Sequence, residues 1–196
     1  MKKHKMPHNL IIGITGASGV IYGIKLLEEI ARIEGISSHL IISPAAKVTI
    51  IEESEYQLKQ LKELADHTYN HNDIAALIAS GSFKTMGMII APCSINTMSK
   101  IATGNTDNLL TRAADVVLKE KRKLLLCLRE TPLHSLHLNN MKNLSDLGAV
   151  IFPPVPAFYL KPKTINDIVD HTVGRMLSIF DIASDCSKVW SGLAST

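Results

Sequence analysis

Aromatic residues are scarce in this chain, cysteines number three, and the charges of opposite sign nearly balance. Each shortage closes off a class of function. Aromatics at 5% leave little to stack on exposed bases, and 21 Lys plus Arg against 18 Asp plus Glu, a formal charge of +3, is too mild for a phosphate-backbone binder. Nucleic acid is therefore not an expected partner. Cys93, Cys127 and Cys186 show neither CxxC spacing nor the density of a disulfide framework, so they read as reduced thiols of a cytoplasmic protein. Long apolar runs are missing too: the first is broken by glycine and followed by a segment carrying Lys25, Glu28, Glu29 and Arg32. Neither a signal peptide nor a membrane span is expected.

What the chain has is 46% apolar residues over a length of 196, enough for one domain with its own core. Lys2, Lys3, His4 and Lys5 mark residues 1–8 as a flexible basic tail, and residues 9–196 read as a single domain without repeat or low-complexity linker. Leu10 to Ile14 passes directly into Thr15-Gly-Ala-Ser-Gly19, and then into Val20, Ile24, Leu27 and Ala31 at helical spacing. That is a strand, a glycine turn and a helix N-terminus, a layout whose free backbone donors suit an anion. Further strands are predicted at 37–42, 87–91, 124–128 and 149–152. Helical patterns cover 45–65, 109–118, the stretch marked by Leu138, Met141, Leu144 and Leu147, and the run that Thr164 caps through to Phe180. Residues 67–73 read as a loop or short turns, and 80–85 as a flexible polar segment next to the site. The alternation predicts an α/β fold of three layers, a mainly parallel sheet with helices on both faces.

In such a sheet ligands gather outside the C-terminal strand ends. The polar turns at Gly16–Ser18, Ser43, Ser94–Thr97 and Arg129-Glu130 all fall there. The first turn lacks the full GxGxxG spacing and no acidic residue follows the second strand, so a mononucleotide fits better than NAD. Ser94 and Thr97 suit helix capping as well as ligand binding. Arg129 can fork onto a phosphate or carbonyl and Glu130 can move a proton at the edge of a sheltered cavity; the alternative for both is a local ion pair or a solvated loop. Lys119 suits a helix end, where it can pair with Asp115, Arg175 shares a polar stripe with Asp167 and His171, and Tyr159 can simply pack its ring. If Lys119, Tyr159 and Arg175 converge, they supply two cations and a hydroxyl for a second phosphate. Cys93 reads as a packed thiol, and His134 with His137 lacks further ligands, so no metal site is predicted. Trp190 would cover an apolar pocket or a subunit neighbour.

The ordered segments TGASGVIYGIKLL, APCSINTMSKIATG, NLLTRAADVVLKEKRKLLLCLRETPLHSLHLNNM and GAVIFPPVPAFYLKP resemble the UbiX/Pad1 flavin prenyltransferases over essentially the whole chain beyond the basic tail. The resemblance implies a flavodoxin-like Rossmann fold and a homododecamer built from trimers, with sites at subunit junctions. It implies transfer of a dimethylallyl group from dimethylallyl phosphate to N5 and C6 of reduced FMN, without metal or covalent protein nucleophile. The prenylated FMN would serve a UbiD-type decarboxylase. Carried over residue by residue, Gly16, Ala17, Ser18, Ser43, Ser94, Ile95, Asn96, Thr97 and Arg129 would hold FMN, while Lys119, Tyr159 and Arg175 would bind dimethylallyl phosphate. The catalytic residues implied are Ser18, as the hydroxyl near N5, Glu130, as the acid in proton transfer, and Lys119. Asn96 stands where the family often has Lys, which alters the flavin contact expected there. Trp190 matches an aromatic that some members place over the site.

Overall fold

The apolar runs become strands because both of their faces are covered. In the computed structural model, β1 (His8–Ile14), β2 (Ile36–Ile42), β3 (His67–Tyr69), β4 (Gly87–Cys93), β5 (Lys123–Leu128) and β6 (Val150–Ile151) form one sheet in the order β3-β2-β1-β4-β5-β6. Every neighbouring pair is parallel. The structure describes residues 8–186, and the chain divides into two compact units, 1–154 and 155–196. The basic residues of the tail and Trp190 lie outside the described residues; His8 already belongs to β1.

Parallel pairing forces each connection to cross a face of the sheet, and helices make those crossings. One side carries α1 (Val20–Ala31), α2 (Pro44–Glu53) and α3 (Leu58–Leu64). The other carries α4 (Ile95–Ala102), α5 (Leu109–Lys119) and α6 (Ser135–Asp146), whose Met98, Ile101, Leu110, Ala113, Val117 and Leu144 pack on Met88, Ile90, Leu124 and Leu126. Strand order reverses between β1 and β4, the switch point where α/β sheets open a crevice at their C-terminal edge. The second unit holds a short 3-10 turn at Phe158–Leu160 and α7 (Ile165–Ile179). Thr164 caps α7 as expected: its hydroxyl accepts from the Asp167 N–H while Asp167 takes the N–H of Thr164.

Three local expectations are corrected. The helical stretch over 45–65 is two helices, because Ser54 turns its hydroxyl onto the Ile50 carbonyl to end α2 and Gln60 reaches back to the Gln57 N–H to start α3. Residues 67–69 are an edge strand, not a loop. Its apolar signal is absent because polar contacts pin it: Asp66 accepts from the Ser38 N–H and hydroxyl at 2.8 and 2.9 Å, and Tyr69 Oη lies 2.8 Å from His39 Nδ1. The polar segment 80–85 leads into the start of β4, so it lies at the N-terminal edge of the sheet, opposite the polar turns.

His39 carries a pH dependence. Asn9 uses its amide nitrogen on the Lys84 carbonyl and so offers Oδ1 to His39 Nε2, which makes Nε2 the protonated nitrogen and Nδ1 the acceptor from Tyr69. Burial, with the neighbouring His67, pushes the His39 pKa down to about 4. The native state thus holds a neutral ring, the unfolded chain binds the extra proton below about pH 6.5, and stability falls as pH drops from there towards 4. Urea unfolding across that range should show this loss, and His39→Gln should flatten it while costing about 1–3 kcal/mol at neutral pH through the unpaired Tyr69 hydroxyl.

Candidate active site

The turn after β1 is held by the strand beside it. Thr15 Oγ1 donates to the Pro92 carbonyl and accepts the Ser94 N–H, both at 2.8 Å, which locks the ends of β1 and β4 together. The Ser43 N–H donates to Ile14 O at 3.0 Å and brings the end of β2 alongside. Gly16 sits against the start of α2, where a Cβ would fall 2.4 Å from that of Ala45, so a side chain there would wedge the two turns apart. Ser43 caps α2 by accepting the Ala46 N–H, and Ser94 caps α4 by accepting the Thr97 N–H while donating to Thr97 Oγ1 at 3.1 Å. The capping role of Ser94 is therefore real. It also leaves the first-turn N–H groups of Ile95 and Asn96 directed out of α4 towards the crevice.

The start of α1 differs from what its sequence suggests. Its N-cap, Gly19, has no side chain, and the carboxylate of Glu53 fills the position: Oε2 accepts from the Gly19 N–H at 2.7 Å and the Val20 N–H at 3.3 Å. Partial burial would raise the Glu53 carboxyl, but hydrogen bonds from the Ser18 hydroxyl and from Gly19 and Val20, with the Arg129 charge, outweigh it and hold the group below the usual carboxylate range. An anion already occupies this helix terminus. The N-terminus of α4 differs: the Ser94 and Thr97 hydroxyls stand there beside the first-turn amides, and no side-chain carboxylate is bonded to them among the described bonds.

Glu53 is the residue that the sequence reading missed. The available signal was its place at the C-terminal end of α2, where an acid opposes the helix dipole and gains from a partner elsewhere. The structure brings Gly16, Ala17, Ser18, Ser43, Ser94, Ile95, Asn96, Thr97, Arg129 and Glu130 to the C-terminal edge of one sheet, with Ser18, Glu53 and Arg129 in electrostatic contact. Arg129 follows β5 and its N–H donates to Cys93 O at 3.3 Å. In the single chain Arg129 and Glu130 are exposed, not sheltered, and Glu130 accepts only from its neighbour Thr131 N–H at 3.1 Å among the bonds described.

Lys119 is not with them. It ends α5 just before β5 begins, at the N-terminal edge, and its Nζ lies 3.4 Å from Glu120, while Asp115 pairs with Arg112 in place of the expected Lys119. Tyr159 and Arg175 belong to the second unit. There His171 stands one turn before Arg175 on α7 and takes the Tyr159 ring edge-to-face, with centroids 6.4 Å apart, so both residues border one imidazole. Burial first, then the Arg175 charge, lowers the His171 pKa. Burial also pushes the Cys93 thiol up and that of Cys127 up to about 12, which agrees with packed, unreactive sulfurs. Among the described residues no group of three His, Cys, Asp or Glu is placed to hold a metal, and no helix is long and apolar enough to cross a membrane.

A doubly wound sheet whose switch-point turns offer capped helix termini, small side chains and hydroxyls defines a mononucleotide-binding flavodoxin-like protein. A Flavoprotein family profile matches residues 1–188. The chain is 50% identical to a probable UbiX-like flavin prenyltransferase of Bacillus subtilis, over 94% of this chain and 90% of that protein. It is 51% identical to flavin prenyltransferase UbiX of Escherichia coli K12, over 93% and 98%. Among solved structures, AnUbiX (PadA1) in complex with FMN and dimethylallyl pyrophosphate superposes with a TM-score of 0.92 at 46% identity, covering 96% of this chain and all of that one. A dodecameric FMN-dependent UbiX-like decarboxylase from Escherichia coli O157:H7 gives the same TM-score and identity over 94% and 100%. The chain belongs to the UbiX flavin prenyltransferase family.

Ser94→Ala removes a cap and a crevice hydroxyl together. It is expected to lower stability by about 1 kcal/mol and to weaken FMN binding about 5–10-fold in a fluorescence titration. Retained affinity would leave Ser94 a cap alone.

Proposed function

We propose that this protein is a flavin prenyltransferase, which moves a dimethylallyl group from dimethylallyl phosphate to N5 and C6 of reduced FMN. The observation that carries the reading is the Ser18–Glu53–Arg129 cluster at the switch point of a chain half identical, nearly end to end, to enzymes of that name. FMN, when bound, supplies the two nucleophilic ring positions. The hydroxyls and free amides at Ser43 and Ser94–Thr97 would hold its phosphate and ribityl chain, and Gly16, Ala17, Ser18 and Arg129 its ring.

As the allylic C–O bond breaks, negative charge grows on the departing phosphate, and Lys119, Tyr159 and Arg175 are proposed to neutralise it. Lys119 cannot do this within its own chain. The six-residue β5 separates it from the turns by about 20 Å. Lys119 is therefore proposed to serve a neighbouring copy, in a homo-oligomer proposed as a dodecamer. The ionised Glu53 beside Ser18 is proposed to take the hydroxyl proton as Ser18 takes one from N5, so the proton passes along the pair. Glu130 is proposed to take the proton lost at C6 on ring closure. Its exposure in the single chain agrees with a site completed only on assembly. The protein would act in the cytoplasm, without a metal, and its product would serve a UbiD-type decarboxylase.

Anaerobic incubation with reduced FMN and dimethylallyl phosphate should yield, by mass spectrometry, a flavin enlarged by one dimethylallyl unit. Flavin-loaded protein that makes no such product, or that alone releases carbon dioxide from an aromatic acid, would replace this reading with direct decarboxylation or simple flavin binding. Glu130→Gln should keep the fold and FMN but lower turnover about 100-fold or more, the scale of a lost general base. Glu53→Gln should keep FMN within about threefold while turnover falls at least tenfold, because Ser18 loses its charged partner. Equal effects on both quantities would make Glu53 a helix cap only.

A further inference from the structure

At the N-terminal edge of the sheet the chain builds a charged corner that the turns of the opposite edge do not need. Backbone bonds from the Glu120, Lys121 and Arg122 N–H groups to Val116, Leu118 and Val117 close the end of α5 at 2.9–3.0 Å, with Lys121 in the left-handed region at φ 56°. The Arg122 side chain is only 14% exposed. It spends its fork on segment 80–85, Nη1 donating to Phe83 O at 2.6 Å and Nη2 to Gly81 O at 2.8 Å.

The same segment shapes the position of Glu120. Its Oε2 lies 3.9 Å from Arg122 Nη2, and its Oε1 lies 3.4 Å from Lys119 Nζ. Gly81 provides the room, since a Cβ there would fall 2.4 Å from Glu120 Oε1 and 3.4 Å from Lys119 Nζ. The carboxylate is thus lodged between two cations against a bare stretch of backbone. Lys119 pairs with Glu120 as an ion pair, and its side chain remains 57% exposed, with donors left for a ligand. A free lysine side chain samples many rotamers, and a fixed carboxylate beside the ammonium removes much of that freedom before the ligand arrives.

Resting on the reading of Lys119 as a phosphate ligand, we propose that Arg122 and Gly81 are positioning residues, which fix Glu120 so that it aims Lys119 at the dimethylallyl phosphate bound by a neighbouring copy. Arg122 touches no substrate in this scheme and acts only through Glu120 and Lys119.

The test is a double-mutant cycle on the assembled, FMN-loaded protein, reading KM for dimethylallyl phosphate, kcat and FMN affinity. Arg122→Gln should raise that KM about 5–20-fold with FMN affinity unchanged, Arg122→Lys should recover part of the loss, and Lys119→Met should raise KM at least as far. The double variant Lys119→Met with Arg122→Gln should be no worse than Lys119→Met alone. If Arg122→Gln adds its full factor to Lys119→Met, Arg122 acts on the fold at large and the proposal is overturned while the Lys119 reading stands. A Lys119→Met protein with unaltered KM removes that reading and the proposal with it. Gly81→Ala gives a second entry to the same question should Arg122→Gln not fold: it leaves the Arg122 bonds in place, displaces Glu120, and should raise the same KM, and an unchanged KM overturns the proposal.

Discussion

One threonine hydroxyl joins the two halves of this sheet where the ligand crevice opens. Thr15 Oγ1 donates to the Pro92 carbonyl near the end of β4 and accepts from the amide of Ser94, the N-cap of α4, so the turns after β1 and β4 are tied together. With Thr15 only 1% exposed, both bonds are made without competition from solvent. The crevice between the half-sheets is therefore preformed. Its rigidity spares a bound ligand the entropy of ordering the two loops.

Around that joint, two helix termini are used differently. The positive end of α1 is filled by Glu53, whose charge also faces Arg129 and the Ser18 hydroxyl, so this turn presents a tuned hydroxyl and not an open anion hole. The positive end of α4 keeps free amide donors between Ser94 and Thr97. An internal carboxylate makes the first terminus unfavourable for a second anion and leaves the other one open to it. Reach then limits what one chain can do alone. All strands run the same way, so residues that end strands and residues that end the crossover helices lie on opposite edges, and Lys119 is at the far one.

The repeating layout was legible because parallel strands buried on both faces must be written as continuous apolar runs, and the helices between them as amphipathic ones. Leu10–Ile14 and Leu124–Leu128 announced themselves in that way. Strand β3 did not: His-Thr-Tyr at a sheet edge is held by Asp66, Ser38 and His39, and a strand stabilised by polar pairs has no apolar signature. The break between α2 and α3 was hidden for a related reason, since it depends on where the Ser54 and Gln60 side chains turn and not on composition.

Sequence by itself determined the mainly parallel sheet, the alternation of its apolar strands with amphipathic helices, and the small polar residues at the strand ends, because periodicity, glycine turns and caps act over a few neighbouring residues. Tertiary structure alone decided that Glu53 closes the helix beginning 33 residues earlier at Val20, that the Tyr159 ring meets His171, and that Lys119 lies at the edge opposite the turns of its own chain. Those facts depend on the direction in which distant elements pack. No local pattern encodes a direction that only the closed sheet imposes.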